Sequence, residues 1–127
     1  MKACQVALAM LGSFTLGTVA VEGLHAQVKP PAFVVAEVAI AGPDGYAKEF
    51  LPAFLKTIQD ADGKFLARGG RVIWFDGDVP APHVFIVQLE SLEKAQTWWN
   101  SPPTKAAVAI GQKYATFRQY AVEGLSQ

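Results

Sequence analysis

Apolar residues change period several times between residues 33 and 122, and the changes mark the elements. Phe33 to Ile40 is rich in Val, Ile and Phe and apolar at nearly every position, which predicts a strand covered on both faces. Glu37 is the one charge in it and requires a partner. Gly42-Pro43-Asp44-Gly45 reads as a turn. From about Asp44 to Asp60, Tyr46, Phe50, Phe54 and Ile58 recur every four residues, with Ala47, Leu51 and Leu55 beside them and Lys48, Glu49, Lys56 and Gln59 opposite. That is an amphipathic helix, and Pro52 inside it predicts a kink. Asp62-Gly63 ends the segment. Lys64 to Arg68 and Arg71 to Phe75 are short strand-like runs around Gly69-Gly70, joined as a hairpin or as one bulged strand. Asp76 to Pro82 is a loop, and His83 to Leu89 is another largely apolar strand. Ser91 caps the next helix, with Glu93 in its first turn and Leu92, Ala95 and Trp98 or Trp99 inward. Ser101-Pro102 restarts a helix with a cap and a first-position proline, and its inner stripe is Ala106, Ala107, Ile110 and Tyr114. Thr116 to Val122 closes the domain as a strand.

The order of strand, helix, hairpin or strand, strand, helices, strand is the split βαβ pattern of a ferredoxin-like α+β fold, βαββαβ. It predicts an antiparallel sheet of four or five strands with helices on one face. Such helices leave the other face bare. Yet the first strand carries Phe33 and Val35 on one side and Val34, Val38 and Ile40 on the other, and the strand from His83 repeats this with Phe85, Val87 and Leu89 against Val84 and Ile86. An open apolar face of that size predicts a symmetric homodimer packed sheet against sheet.

The N-terminus follows different rules. Lys2 precedes an uncharged run from Ala3 to Val21, followed by Glu22, Gly23, Leu24, His25 and Ala26. A positive start, an apolar run and a small residue before a polar one predict a secretory signal over residues 1–26, with Ala20 the second choice of cleavage site. If uncleaved, the segment is a membrane anchor and the only part in contact with a membrane. A single Lys suits a bacterial envelope signal, so the expected location is periplasmic or secreted. Residues 27–32 form an extended leader through Lys29-Pro30-Pro31, residues 33–123 the domain, and residues 124–127 a tail.

Charge is balanced, with 11 basic and 11 acidic residues, and loss of Lys2 and Glu22 with the signal keeps it so. Nothing in that balance draws the chain to nucleic acid. The 127 residues suit one domain. Cys4 is the single cysteine and falls in the signal, and His83 is the one histidine after it. Thiolate nucleophiles, Cys-ligated metals and His clusters are therefore excluded from the mature chain, and no metal or cofactor is expected.

Few residues carry candidate chemistry. Glu37, in an apolar strand, and His83, opening a strand after a proline loop, are the two candidates for a base, each also readable as a paired or surface residue. Arg68 can anchor a carboxylate ligand or pair with Glu37 or Asp76. Tyr46, Trp74 and Trp98, with Trp99, Phe54 and Tyr114, can line an apolar pocket between sheet and helices or fill the core. Asn100-Ser101 reads as helix capping. No phosphate-binding glycine loop and no Gly-x-Ser-x-Gly elbow is present.

Phe33-Val34-Val35-Ala36-Glu37-Val38, Gly45-Tyr46, Gly63-Lys64-Phe65-Leu66-Ala67-Arg68-Gly69-Gly70 and Trp99-Asn100-Ser101-Pro102 resemble the domain-of-unknown-function family 1330. The resemblance covers about Pro31 to Glu123 and implies a dimeric α+β barrel of ferredoxin-like subunits. The family usually continues Ser-Pro with Glu-Tyr, where this chain has Pro103 and Thr104, and many members are cytoplasmic. The family carries no assigned activity. Its wider superfamily holds cofactor-free monooxygenases, isomerases and haem-dependent dismutases, which reach this chain by fold-level analogy alone. Three functions stand open: a domain binding a small apolar or carboxylated molecule with Arg68 as anchor, a cofactor-independent monooxygenase- or isomerase-like enzyme using Glu37 or His83, and a structural homodimer.

Overall fold

The computed structural model describes residues 29–126. The expected signal segment, with Cys4 and His25, lies outside the described residues. The elements are β1 (Ala32–Ile40), α1 (Pro43–Gly45), a π-helical segment (Tyr46–Phe50), α2 (Leu51–Asp60), β2 (Lys64–Arg68), β3 (His83–Leu89), α3 (Leu92–Asn100), α4 (Pro102–Gly111) and β4 (Ala115–Glu123). The four strands form one sheet in the order β2-β3-β1-β4, antiparallel at every join. β1 and β2 are therefore parallel to each other with β3 inserted between them, and β3 and β4 flank β1 in the same way. This is the ferredoxin-like α+β fold that the element order predicts.

Alternation along each strand sorts the core. Val34, Ala36 and Val38 of β1 and Phe85, Val87 and Leu89 of β3 are buried beneath the helices. Phe50, Phe54 and Ile58 come down on them from the first helical stretch, Ala95 and Trp98 from α3, and Ala107 from α4. Tyr46, Phe50 and Phe54 follow one another at centroid distances of 5.1 and 5.0 Å, the first pair tilted and the second stacked, as the four-residue spacing allows.

Several local expectations are corrected. Pro52 does not simply kink a helix. Having no N–H, it cannot donate to the Lys48 carbonyl, and the turn before it widens until the Leu51 N–H reaches back to the Tyr46 carbonyl. Arg71 to Phe75 forms no strand, and the run from Gly69 to Pro82 is an irregular connection between β2 and β3. Strand β2 carries a bulge between Phe65 and Ala67, and not at Gly69-Gly70 where one was expected; the strand ends at Arg68. Ser91 caps α3 as expected, accepting from the Lys94 N–H at 3.1 Å. Ser101 occupies the cap position of α4 but its side chain caps nothing. Pro102 and Pro103 offer no N–H there, and the hydroxyl donates instead to the Trp98 carbonyl at 2.8 Å. The inner stripe of α4 is Thr104, Ala107 and Gly111, with Ala106 exposed. Gly111 lies against Phe50 and Phe117 so closely that the helix turns this side inward.

Candidate functional site

One cavity of about 150 Å³ opens between the sheet and the first helical stretch. Its walls are Phe54, Phe65 and Phe85, and three polar side chains reach it: Tyr46, Arg68 and His83. Each arrives by a separate local device. Tyr46 comes from the widened π-helical turn set by Pro52; such segments recur at functional sites. His83 is the first residue of β3, paired with Val38 and on the same face as Phe85 and Val87. Arg68 depends on the bulge. Arg68 lies three positions after Phe65, so strict alternation would put the two on opposite faces of the sheet. The extra residue at Leu66 moves the pairing so that Phe65 faces Val87 and Arg68 faces Phe85, both partners buried under the helices. The Arg68 guanidinium lies 5.1 Å from the Phe65 ring centre and makes no ion pair among the described residues.

The electrostatics of this cavity follow. Burial pushes the Tyr46 phenol above its ordinary value, and the Arg68 charge offsets part of that rise. The phenol is therefore protonated around neutral pH and able to donate, beside a permanent positive charge.

The other residues singled out from the sequence lie elsewhere. Glu37 sits between two residues that face the helices, so its own side chain is on the open face of the sheet. There its Oε1 accepts from the Ala81 N–H at 3.1 Å and its Oε2 lies 3.6 Å from Arg118 Nη1. That pair ties the end of the long connection to β1. Trp74 is 53% exposed in that connection, donating to the Gly77 carbonyl at 3.0 Å. Trp98 is buried and donates to Thr57 Oγ1 at 3.1 Å. It lines a different cavity, between α3 and β4, of about 320 Å³. Tyr114 lies outside the first cavity as well, bonded to the Glu49 carboxylate, and this bond raises its phenol above the usual range.

The second cavity holds a residue that the sequence analysis passed over. Gln119 pairs with Ala36 on the helix-facing side of β4, and its Oε1 is buried without a hydrogen-bond partner. The alternation of Ala115, Phe117 and Ala121 places Gln119 in an apolar stripe, and that mismatch was the available signal. Among the described residues no three His, Cys, Asp or Glu side chains come together as metal ligands, and no helix is long and apolar enough to cross a membrane.

A ferredoxin-like α+β domain with an aromatic cavity capped by Arg and Tyr is thus the class of protein that fold and site define. The chain belongs to the family described as domain of unknown function (DUF1330), whose model matches residues 31–125. No curated protein sequence matches it. Among solved structures it is similar to a protein of unknown function from Rhodopseudomonas palustris, at 18% identity, with a TM-score of 0.62, covering 78% of this chain and 85% of that one. It is also similar to an Arabidopsis thaliana protein, at 15% identity, with a TM-score of 0.57 and coverage of 79% and 93%. A third likeness is to SnoaB, a cofactor-independent oxygenase from Streptomyces nogalater, at 11% identity, with a TM-score of 0.55 and coverage of 77% and 96%. At these identities the likeness extends to the fold.

Proposed function

We propose that this protein is an exported, homodimeric domain that binds a small carboxylic acid with an apolar body in the cavity shared by Tyr46, Arg68 and His83. The observation that carries the reading is the bulge at Leu66, which brings an Arg without an ion-pair partner among the described residues beside a protonated phenol at an aromatic cavity. A guanidinium matches a carboxylate with two parallel hydrogen bonds, and Tyr46 adds a third donor. Phe54, Phe65 and Phe85 meet the apolar body. The volume of about 150 Å³ suits a single ring, since an apolar cavity of about that size takes up benzene. Calorimetry on the whole chain with benzoate and its neutral isostere benzamide tests this. Benzoate is expected to bind saturably and benzamide at least about tenfold more weakly, with the preference lost in Arg68→Met. Absence of benzoate binding, or a preference that survives Arg68→Met, overturns it. Arg68 is exposed, so the variant does not threaten the fold.

The homodimer rests on the open face of the sheet. Tyr120 and Val122 there are 49% and 51% exposed, and Phe33, Val35, Val84 and Ile86 join them on the strands β1 and β3. A face of this kind favours a second copy. Light scattering should give twice the chain mass, and Tyr120→Lys with Val122→Lys should halve it; a monomeric parent protein removes the reading. Export rests on the pattern from Lys2 to Ala26, and a mature chain beginning at Gln27 is the expected product of N-terminal sequencing.

A second reading, an enzyme acting without a cofactor, is favoured by one observation: His83 lies at the same cavity, in a fold similar to that of a cofactor-independent oxygenase. His83 would take a proton from an activated carbon acid, and Glu37, bound to Arg118 on the other face, would take no part. Deuterium exchange into a 1,3-diketone probe, abolished in His83→Ala with benzoate affinity kept, supports it.

A further inference from the structure

The connection between β2 and β3 carries a run of apolar side chains that its own chain does not cover. Ile73 is 65% and Phe75 91% exposed, and Val72, Trp74 and Val79 beside them are exposed as well. Arg71 to Phe75 has the composition of a strand, yet among the described residues its backbone N–H and C=O groups meet no other backbone. The far end of the sheet has a matching deficit. Strand β4 is nine residues long and pairs with β1 on one side alone, so its other side is an open edge. A long edge with apolar side chains is a template for strand addition.

We infer that the segment Arg71–Asp76 of one copy adds to the edge of β4 in a second copy, antiparallel, with Arg71 opposite Glu123 and Asp76 opposite Arg118. This exchange rests on the homodimer proposed above and names what joins the two copies beyond their sheet faces. Opposed residues of a strand pair share a face. In this register Val72 therefore meets Val122 and Trp74 meets Tyr120 on the open face, while Ile73 meets Ala121 and Phe75 meets Gln119 on the helix side. Opposite charges close both ends, and apolar pairs lie between them. Sliding the segment by two residues either way leaves Arg71 opposite Ala121 or Leu125, with no carboxylate facing it. A slip of one residue sends Trp74 to the helix side. Arg118 can serve both Glu37 and the incoming Asp76, because its side chain is 72% exposed and a guanidinium has five donors.

The cavity between α3 and β4 supplies an independent reason. Val34, Ala95, Trp98 and Trp99 wall it, Gln119 and Ala121 of β4 belong to its lining, and no charged side chain does. The register directs Ile73 and Phe75 of the second copy to this same side of β4. An apolar cavity of about 150 Å³ takes up benzene, so one of about 320 Å³ has room for the Phe75 ring and the Ile73 side chain together. A two-fold axis makes the exchange reciprocal, each copy giving one segment and receiving one.

Introduced cysteines read the register, with Cys4→Ser in every variant of the full chain. Val72→Cys with Val122→Cys is expected to form a disulfide between copies on mild oxidation, doubling the mass on a denaturing gel, because opposed strand positions lie within disulfide reach. Val72→Cys with Thr116→Cys, about 20 Å out of register, should not cross-link. Phe75→Ala should raise the dimer dissociation constant at least about tenfold in analytical ultracentrifugation, as loss of an aromatic anchor does. Phe75 is exposed within its own chain, so the variant does not threaten the fold. A dimeric parent that gives no Val72–Val122 cross-link, that cross-links equally at Thr116, or that keeps its affinity in Phe75→Ala overturns the exchange and leaves the sheet-face dimer standing. A monomeric parent removes both.

Discussion

Thr57 ties two layers of the helical face together with a single hydroxyl. It donates to the Phe54 carbonyl at 2.7 Å and accepts from Trp98 Nε1 at 3.1 Å. Both residues are buried, Thr57 at 6% and Trp98 at 5% exposure. Thr57→Val keeps the branched shape and nearly the same helix propensity, so the change isolates the hydroxyl. The indole N–H is then a buried donor without an acceptor, which costs about 1–3 kcal/mol. Burying a methyl in place of the hydroxyl returns up to about 0.8 kcal/mol. The expected net loss is about 1–2 kcal/mol, or a Tm lower by roughly 4–15 °C for a domain of this size. Urea unfolding of Thr57→Val, Trp98→Phe and the double variant measures it. Phe lacks the N–H, so Thr57→Val should cost much less in the Trp98→Phe background, giving a coupling of about 1 kcal/mol or more. A Thr57→Val protein as stable as its parent, or additive single effects, would show that the bond contributes nothing and that Trp98 is held by shape alone. The readout matters beyond stability, because Trp98 is also a wall of the second cavity.

Gly111→Ala should be destabilising by about 1–3 kcal/mol despite the higher helix propensity of Ala, because the new Cβ would stand 2.6 Å from Phe50 Cδ1, whose ring is fully buried and has nowhere to go; thermal unfolding checks it, and a stabilised variant would refute the packing argument. Stability should also fall in alkali. Tyr46 ionises near 10.0 when unfolded and higher when folded, so its contribution is complete below about pH 10 and is lost as pH rises through the folded value. Urea midpoints taken at increasing alkaline pH should decline less steeply in Tyr46→Phe, and an unchanged slope would show that its burial is not felt.

Much of this protein is legible in its sequence. Residue type and spacing are local properties, and a strand or an amphipathic helix is defined by them. The apolar run from Phe33, the four-residue recurrence of Tyr46, Phe50, Phe54 and Ile58, and Ser91 before its helix therefore predicted β1, the first helical stretch and the start of α3. Their order then restricted the topology to the split βαβ arrangement, since each helix must return its strand to the same sheet. Failures occurred where a local signal had two outcomes. Arg71 to Phe75 has the composition of a strand, yet it finds no partner in the sheet and lies in the long connection, with Phe75 91% exposed. Composition says that a segment can be a strand, and only a neighbour with free N–H and C=O groups makes it one.

The site itself was decided by tertiary structure. The sequence alone determined which residues carry chemistry: one His beyond residue 28, few Arg, one Glu within an apolar strand. It could not say which of them share a cavity. A single extra residue in β2 reverses the face on which Arg68 emerges, and that bulge is visible only in the pairing of β2 with β3. Alternation places Glu37 on the opposite face from His83, although the two strands are adjacent. Gln119 shares a cavity with Trp98 and Ala95 only because α3 packs beside β4. Face, register and burial are relations between segments distant in the chain, so a sequence reading supplies the candidates and the packed sheet selects among them.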